Sequence, residues 1–243
     1  MIKVELNAHA LAAMSDMRKL RGSTMSMLSQ WMRAVARKSH LARVGAHLLR
    51  RHNSIYHPDY YERTVEGPAV KSAPIMAASM LEVFHPRTVV DVGCGTGALL
   101  DAFRHLGCQV NGLEYSDAGL AYCHKRRLPV RKFNVTRDQI DGPRYDLAVS
   151  FEVAEHLPSW AAARYVDLLC RLSPLIVMSA ATPGSGGTDH INEQPHSYWI
   201  DRFEQRGYSF DQRNSARLSS QWKEAGTAYW YSDNVLVFNA SRR

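Results

Sequence analysis

The sequence predicts an α/β protein, built on an open and mostly parallel sheet flanked by helices. Three observations predict it. Val89-Val90-Asp91-Val92 is an apolar, β-branched run carrying an acid; it passes into Gly93-Cys94-Gly95-Thr96-Gly97 and then Ala98-Leu99-Leu100-Asp101-Ala102-Phe103, the pattern of a buried strand, a tight turn and a helix start. From Thr88 onward, apolar runs alternate with helical segments, the order that builds parallel sheets through crossovers. Acids stand at the ends of candidate strands (Asp91, Glu114, Glu152), on the side where open α/β sheets bind ligands.

Residues 1–58 read as a basic extension and residues 59–243 as the main domain. The extension holds ten Lys/Arg and two acids, a net of +8, whereas residues 59–243 carry −1, so the whole +7 excess of the chain lies at one end. Leu28, Trp31, Met32 and Val35 fall on one helical face, as do Leu41, Val44 and Leu48, with a break near Ser39. Two basic amphipathic helices of this kind can cover a ligand entrance, pair with a second copy, touch anionic lipid, bind an acidic substrate, or simply pack with a solvated face. Glu5 and Asp16 argue against a transit peptide. Tyr60 and Tyr61 follow, placed to close as a lid.

The glycine turn comes next. Three glycines in five residues let a ligand press against bare backbone, and the helix start beyond offers unpaired N–H groups. The order Asp-x-Gly-x-Gly-x-Gly differs from the dinucleotide fingerprint, and the chain has no Gly-Lys-Ser/Thr phosphate loop. A second strand, Cys108 to Glu114, ends in an acid seventeen residues after Gly97, near the interval of roughly 20 at which an acid reaches ribose hydroxyls. Tyr115 can lie against a base. Val130–Phe133 is the third strand; Asn134 and Val135 follow, and Asn134 either meets an adenine edge or caps the turn at Thr136.

Tyr145–Ser150, the fourth strand, runs into Phe151-Glu152-Val153-Ala154-Glu155-His156-Leu157-Pro158. Open α/β sheets bind ligands at this edge, so the strand should deliver Phe151 and Glu152 there and His156 to the mouth of the pocket. Glu152 and His156 share a face if this turn is helical, and an imidazole titrates near working pH, so His156 is the candidate general base. Alternatively, Glu155-His156 only ties the turn to the sheet. Ser159–Leu172 reads as a helix, and Leu175–Ala180 as a fifth strand. Residues 181–199 then form a long loop, first rich in Pro, Gly and Ser, then dense in His, Asp, Asn, Glu and aromatics, which reads as ordered and functional. His190 competes with His156 as base, with His196 a third choice. Asp189, His190 and Glu193 offer donors for a divalent ion, although no metal is expected; His190 and Asn192 can equally pin the loop. Ser197–Arg206 is a helix stopped by Gly207, and Tyr208–Phe210 and Asn234–Phe238 are late strands. Trp222, Tyr229, Trp230 and Tyr231 either wall a substrate pocket or close the core.

On these residues the chain resembles the class I S-adenosylmethionine-dependent methyltransferases, from Tyr56 to Phe238. The resemblance implies a Rossmann-like sheet of seven strands with the last antiparallel. It also implies that Gly93, Cys94, Gly95 and Gly97 pass under the methionine part of S-adenosylmethionine while Asp91 orients its polar atoms. Glu114 would hold the ribose, and Tyr115, Asn134 and Val135 the adenine, although the family often has Asp where Asn134 stands. The Phe151–Leu157 segment resembles that of small-molecule O-methyltransferases, including those of the ubiquinone pathway. The 181–199 loop resembles a bacterial subgroup linked to sugar and natural-product methylation. Asn/Asp-Pro-Pro-Tyr, a Pro-Cys nucleophile and a widely spaced double-Glu loop are all missing, which argues against DNA bases and protein arginine as acceptors. The expected activity is methylation of an oxygen on a small molecule; nitrogen or carboxylate methylation, and a silent RNA- or membrane-binding domain, stay open. Cys94, Cys108, Cys123 and Cys170 lack metal or redox spacing, in keeping with a reducing cytoplasm, and no run of eighteen apolar residues appears.

Overall fold

The computed structural model describes residues 55–241, so the two helices expected in the extension lie outside the described residues. A short helical turn (Pro58–Tyr60) and a π-helical turn (Tyr61–Val65) lead into helix α1 (Glu66–Phe84). The order is then β1 (Thr88–Val92), α2 (Ala98–His105), β2 (Gln109–Glu114), α3 (Asp117–Lys125), β3 (Val130–Lys132), β4 (Leu147–Ser150), α4 (Ala162–Leu172), β5 (Leu175–Met178), α5 (His196–Glu204), β6 (Tyr208–Phe210), α6 (Gln212–Glu224), α7 (Tyr229–Asn234) and β7 (Leu236–Ala240). The seven strands form one sheet in the order β3-β2-β1-β4-β5-β7-β6. Only β7 runs against its neighbours β5 and β6. This is the seven-stranded architecture that the sequence predicts.

Side chains alternate across a strand, so a strand covered on both faces has to be apolar on both. Val90, Ala148, Ile176 and Phe238 face one layer, with Tyr165 and Leu169 of α4 and Trp199 and Phe203 of α5. Val89, Leu147, Val177 and Val237 face the other, with Met76 and Met80 of α1, Phe103 of α2 and Leu218 and Trp222 of α6. The Trp222 indole N–H donates to Ser79 Oγ at 2.6 Å, joining α6 to α1 across that layer.

The sheet changes direction between β2-β1 and β4-β5. Both halves run parallel there, and their carboxyl ends open on one side. Helices α1, α6 and α7 are additions to the sequence reading. Helix α1 contains Gly67 and Pro74, and α6 is mostly polar, so neither shows a clean apolar period.

Candidate active site

The turn after β1 is built by its glycines. Gly93, Gly95 and Gly97 all have left-handed φ, at 77°, 54° and 77°. A Cβ on Gly93 would run into the Val153 side chain, and one on Gly97 would lie 2.6 Å from Leu128 Cδ1. Those two glycines are demanded by packing. Gly95 differs: a Cβ there would meet only Tyr61 Cε1, at 3.8 Å. Gly95 is therefore held by its left-handed backbone rather than by crowding, with the Tyr61 ring as the nearest neighbour of its α-carbon face.

Two buried acids flank this turn. Asp91 is 4% exposed, and its pKa is pushed up to about 8, first by burial and then by the Glu114 carboxylate. Glu114 is also buried, and that burial raises its pKa against the pull of three backbone donors. Its Oε2 accepts from Gly95 N at 2.7 Å, and its Oε1 from Tyr115 N and Ser116 N at 2.8 and 2.6 Å. Glu114 thus holds the glycine turn against the start of α3 and retains an acceptor position on Oε2. Two buried carboxyls beside a glycine turn, with no cationic side chain among the causes of either shift, suit a ligand that carries positive charge.

The second half of the site follows β4. Glu152 has a left-handed φ of 56°, a conformation that costs a non-glycine residue about 1 kcal/mol or more. Its Oε1 accepts from Ser179 Oγ at 2.6 Å. One short 3-10 turn (Ala154–His156) later, Glu155 is fully buried and His156 half-buried. The Glu155 carbonyl accepts from Ile191 N and Asn192 N, both at 3.0 Å. Those two bonds draw the 181–195 loop back over β4 and bring the His190 and His156 rings to 4.9 Å, edge to face.

His156 Nδ1 lies 3.2 Å from the Asp189 carbonyl and 2.8 Å from Tyr56 Oη. A hydrogen on Nδ1 would serve the Asp189 carbonyl and leave the lone pair on Nε2, whereas the other tautomer would let Nδ1 accept from the Tyr56 hydroxyl. His190 Nδ1 lies 3.0 Å from Glu193 Oε1, where a hydrogen on Nδ1 meets the carboxylate and Nε2 is left with the lone pair. Gly187 lets that ring in: a Cβ on Gly187 would collide with His190 Nε2 and Cε1.

Residues 71–230 match the family model described as a methyltransferase domain. The chain belongs to that family. S-adenosylmethionine is its cofactor. Over 74 residues it is 35% identical to a ubiquinone biosynthesis O-methyltransferase of Rhodopseudomonas palustris, covering 28% of this chain and 29% of that one. The chain therefore spans less than a third of that relative's length. Its fold is similar to magnesium protoporphyrin IX methyltransferase from Synechocystis with bound S-adenosylmethionine (TM-score 0.54, 16% identity, 76% and 95% of the two chains). It is also similar to the sugar N-methyltransferase KedS8 from Streptoalloteichus (TM-score 0.56, 14% identity, 75% and 92%).

In this methyltransferase, Asp91, Gly93, Cys94, Gly95, Gly97, Glu114 and Tyr115 lie at the carboxyl ends of β1 and β2, and Glu152, His156 and His190 converge beyond β4. Asn134 Oδ1 accepts from Thr136 N at 2.9 Å and Thr136 Oγ1 at 2.7 Å, so it caps its turn and only its amide NH2 remains for an adenine edge. The adjacent Val135 carbonyl takes Arg164 Nε at 3.1 Å. The Phe151 ring packs on Trp222 and Tyr231, at 5.8 and 5.9 Å between centroids, and serves the aromatic wall. Trp222 closes the core, whereas Tyr229 is exposed. His196 pairs with Asn234, apart from the His156–His190 pair.

The ion-binding trio read from the loop sequence needs correcting. Glu193 accepts from Gly184 N, Gly186 N and His190, and those donors hold its pKa down against burial. The donors that converge are instead Glu155, His156 and His190. Tyr56 is an addition, its ring lying edge-on to His156 and its carbonyl accepting from Ser116 Oγ at 3.2 Å. A lone tyrosine ahead of a helix gives no signal that it reaches a residue one hundred positions away.

Proposed function

We propose that this methyltransferase transfers the methyl group of S-adenosylmethionine to an oxygen of a small molecule. The observation that carries the reading is the pair of imidazoles beyond β4, on the side of the sheet where Asp91 and Glu114 also lie. Nitrogen nucleophiles need no base at that position, whereas a hydroxyl, with its high pKa, gains from one. When bound, S-adenosylmethionine supplies an electrophilic methyl on a sulfonium, and transfer removes that positive charge. Asp91 would meet the ammonium of its methionine part, and Glu114 Oε2 would accept from a ribose hydroxyl. Tyr61 covers the turn, as the lid reading of Tyr60 and Tyr61 has it, and excludes water from the transfer path. An acceptor hydroxyl held in line with the methyl gives its proton to His156 Nε2, or to His190, as the new O–C bond forms and the S–C bond breaks. The Asp189 carbonyl favours a hydrogen on His156 Nδ1, the tautomer in which Nε2 can take that proton.

The similarity to a ubiquinone biosynthesis O-methyltransferase supports a hydroxylated metabolite as the acceptor class, whereas the similarity to a sugar N-methyltransferase makes an amine the alternative. The test is formation of S-adenosylhomocysteine with a panel of hydroxylated and amino-bearing small molecules. A hydroxylated acceptor is expected to turn over, and His156→Asn to lose at least about 100-fold in kcat with unchanged cofactor affinity, the usual scale for a general base. A fully active His156→Asn variant on an amine or carboxylate would overturn the oxygen assignment.

A further inference from the structure

We propose that Cys94 and Cys123 form a thiol pair that a peroxide converts to a disulfide, and that this cross-link disables the cofactor turn. The two stand 29 positions apart in sequence, which hides any redox spacing, yet the fold brings their Sγ atoms to 3.9 Å. Cys94 lies inside the glycine turn, and Cys123 lies in α3 behind it. The inference rests on the turn's role in holding S-adenosylmethionine and not on the oxygen-methylation reading.

Glycines make the room for both sulfurs. A Cβ on Gly112 would stand 2.9 Å from Cys94 Sγ. One on Gly97 would stand 2.9 Å from Cys123 Sγ and 3.8 Å from the Cys123 α-carbon, so the turn and α3 approach closely at this point. The thiols also help to hold the turn. Cys123 Sγ donates to the Gly95 carbonyl at 3.4 Å, which leaves Cys94 as the donor between the two sulfurs. The N–H of the same Gly95 goes to Glu114 Oε2 at 2.7 Å.

A disulfide bond is about 2.05 Å long, so the sulfurs have to approach by about 1.9 Å. Helix α3 resists that movement: Cys123 is fully buried, and Ser116 Oγ caps the helix start by accepting from Gly119 N at 3.3 Å. The turn yields instead, because Cys94 sits between Gly93 and Gly95, both with left-handed backbone. Drawing Cys94 toward α3 shifts Gly95, removes the S–H donor from its carbonyl and pulls its N–H away from Glu114. The backbone under the methionine part and the acid for the ribose then lose their register together.

Hydrogen peroxide balances the step. Cys94 is 8% exposed against 0% for Cys123, so a small oxidant reaches it first. Its thiolate attacks one peroxide oxygen; the S–O bond forms as the O–O bond breaks, and the departing hydroxide takes up the thiol proton as water. The Cys123 sulfur then attacks the Cys94 sulfur; the S–S bond forms as the S–O bond breaks, and the second oxygen leaves as water with the Cys123 proton. The two thiols are oxidised and the peroxide is reduced to two waters. The hydrogen bond to Cys123, and then burial, hold the Cys94 thiol well above the ordinary range, so the reaction is slow at neutral pH and quickens as pH rises.

The test treats the full chain, reduced and desalted, with hydrogen peroxide at neutral and at mildly alkaline pH. Peptide mass analysis should find a Cys94–Cys123 link that forms faster at the higher pH and more slowly when S-adenosylhomocysteine covers the turn. Calorimetry should show S-adenosylhomocysteine affinity falling at least tenfold on linking and returning with dithiothreitol. Cys123→Ala, and Cys123→Ser with its hydroxyl donor for Gly95, should bind S-adenosylhomocysteine within threefold of the unsubstituted chain, which also shows that they fold, and should keep that affinity through peroxide treatment. Absence of the link, a link that leaves affinity within twofold, or the same reversible loss in both variants would overturn the proposal. A reduced chain that took up no S-adenosylhomocysteine would count against the cofactor's place at this turn and overturn the disabling effect, while mass analysis still decides the link.

Discussion

Asp91 carries the plainest consequence at the scale of single residues. Its pKa of about 8 is well above the ordinary 3.8, because burial and Glu114 both disfavour its charge. The folded apo chain therefore binds a proton that the unfolded chain has already lost anywhere between those two values. By linkage, this residue's contribution to stability is greatest below pH 3.8 and is lost as pH rises toward 8. A cationic ligand reverses the balance, since an ammonium beside Asp91 favours the carboxylate. At pH 7 about nine-tenths of Asp91 is protonated in the free site, so binding S-adenosylhomocysteine should release up to about 0.9 proton. Calorimetry in buffers of different ionisation enthalpy reads that release directly, and Asp91→Asn should abolish it. Release that persists in the variant would assign the proton elsewhere. That Asp91 and Glu114 flank the turn was legible in the sequence, because strand ends and glycine spacing are local patterns. The meeting of His156 with His190 was not, since it depends on a loop more than thirty residues further on.

At the scale of elements, the β1–α2 turn separates packing glycines from a binding glycine. Gly97→Ala combines left-handed strain of about 1 kcal/mol or more with overpacking against Leu128 and Cys123 of about 1 to 3, so about 3 kcal/mol of stability should go. Gly95→Ala carries only the strain, because its Cβ meets no atom closer than 3.8 Å. It should lose about 1 kcal/mol of stability yet at least tenfold in S-adenosylhomocysteine affinity, as the methyl takes up the ligand's side of the cleft. Chemical denaturation and calorimetry on the two variants check this; equal losses of stability would contradict it. The motif shows all three glycines alike, and only the packing tells them apart. Helix α6 makes the converse point. Its buried face is Ser215, Leu218 and Trp222, and a face that begins with serine hides the 3.6-residue period. Apolar strands with acids at their ends stand out in sequence because both faces of the sheet are covered; α1 and α6 do not, because small and polar residues pack where larger apolar ones would have marked the stripe.

The whole chain divides its labour by charge. Residues 52–243 form a compact unit that contains both core layers, the glycine turn with its two acids, and the His pair. That unit carries a net charge of −1, and the full chain carries +7, so the cationic excess belongs to the first 51 residues. Net charge governs solubility and long-range attraction rather than fold. Removing residues 1–51 should therefore leave a cooperatively unfolding protein, with S-adenosylhomocysteine affinity within about threefold, since the glycine turn and its acids are intact. Retention on heparin and uptake by vesicles rich in anionic lipid should fall sharply. For the full chain, that uptake should weaken as salt rises, because exposed charges are screened over about 10 Å at 0.1 M. Vesicle sedimentation and heparin elution, run on both chains across a salt series, measure it. If the shortened chain bound anionic surfaces as well as the full one, the basic residues of the extension would have no part in that attraction. If instead it lost S-adenosylhomocysteine binding while still unfolding cooperatively, the extension would be part of the cofactor site, ahead of Tyr56 and Tyr61.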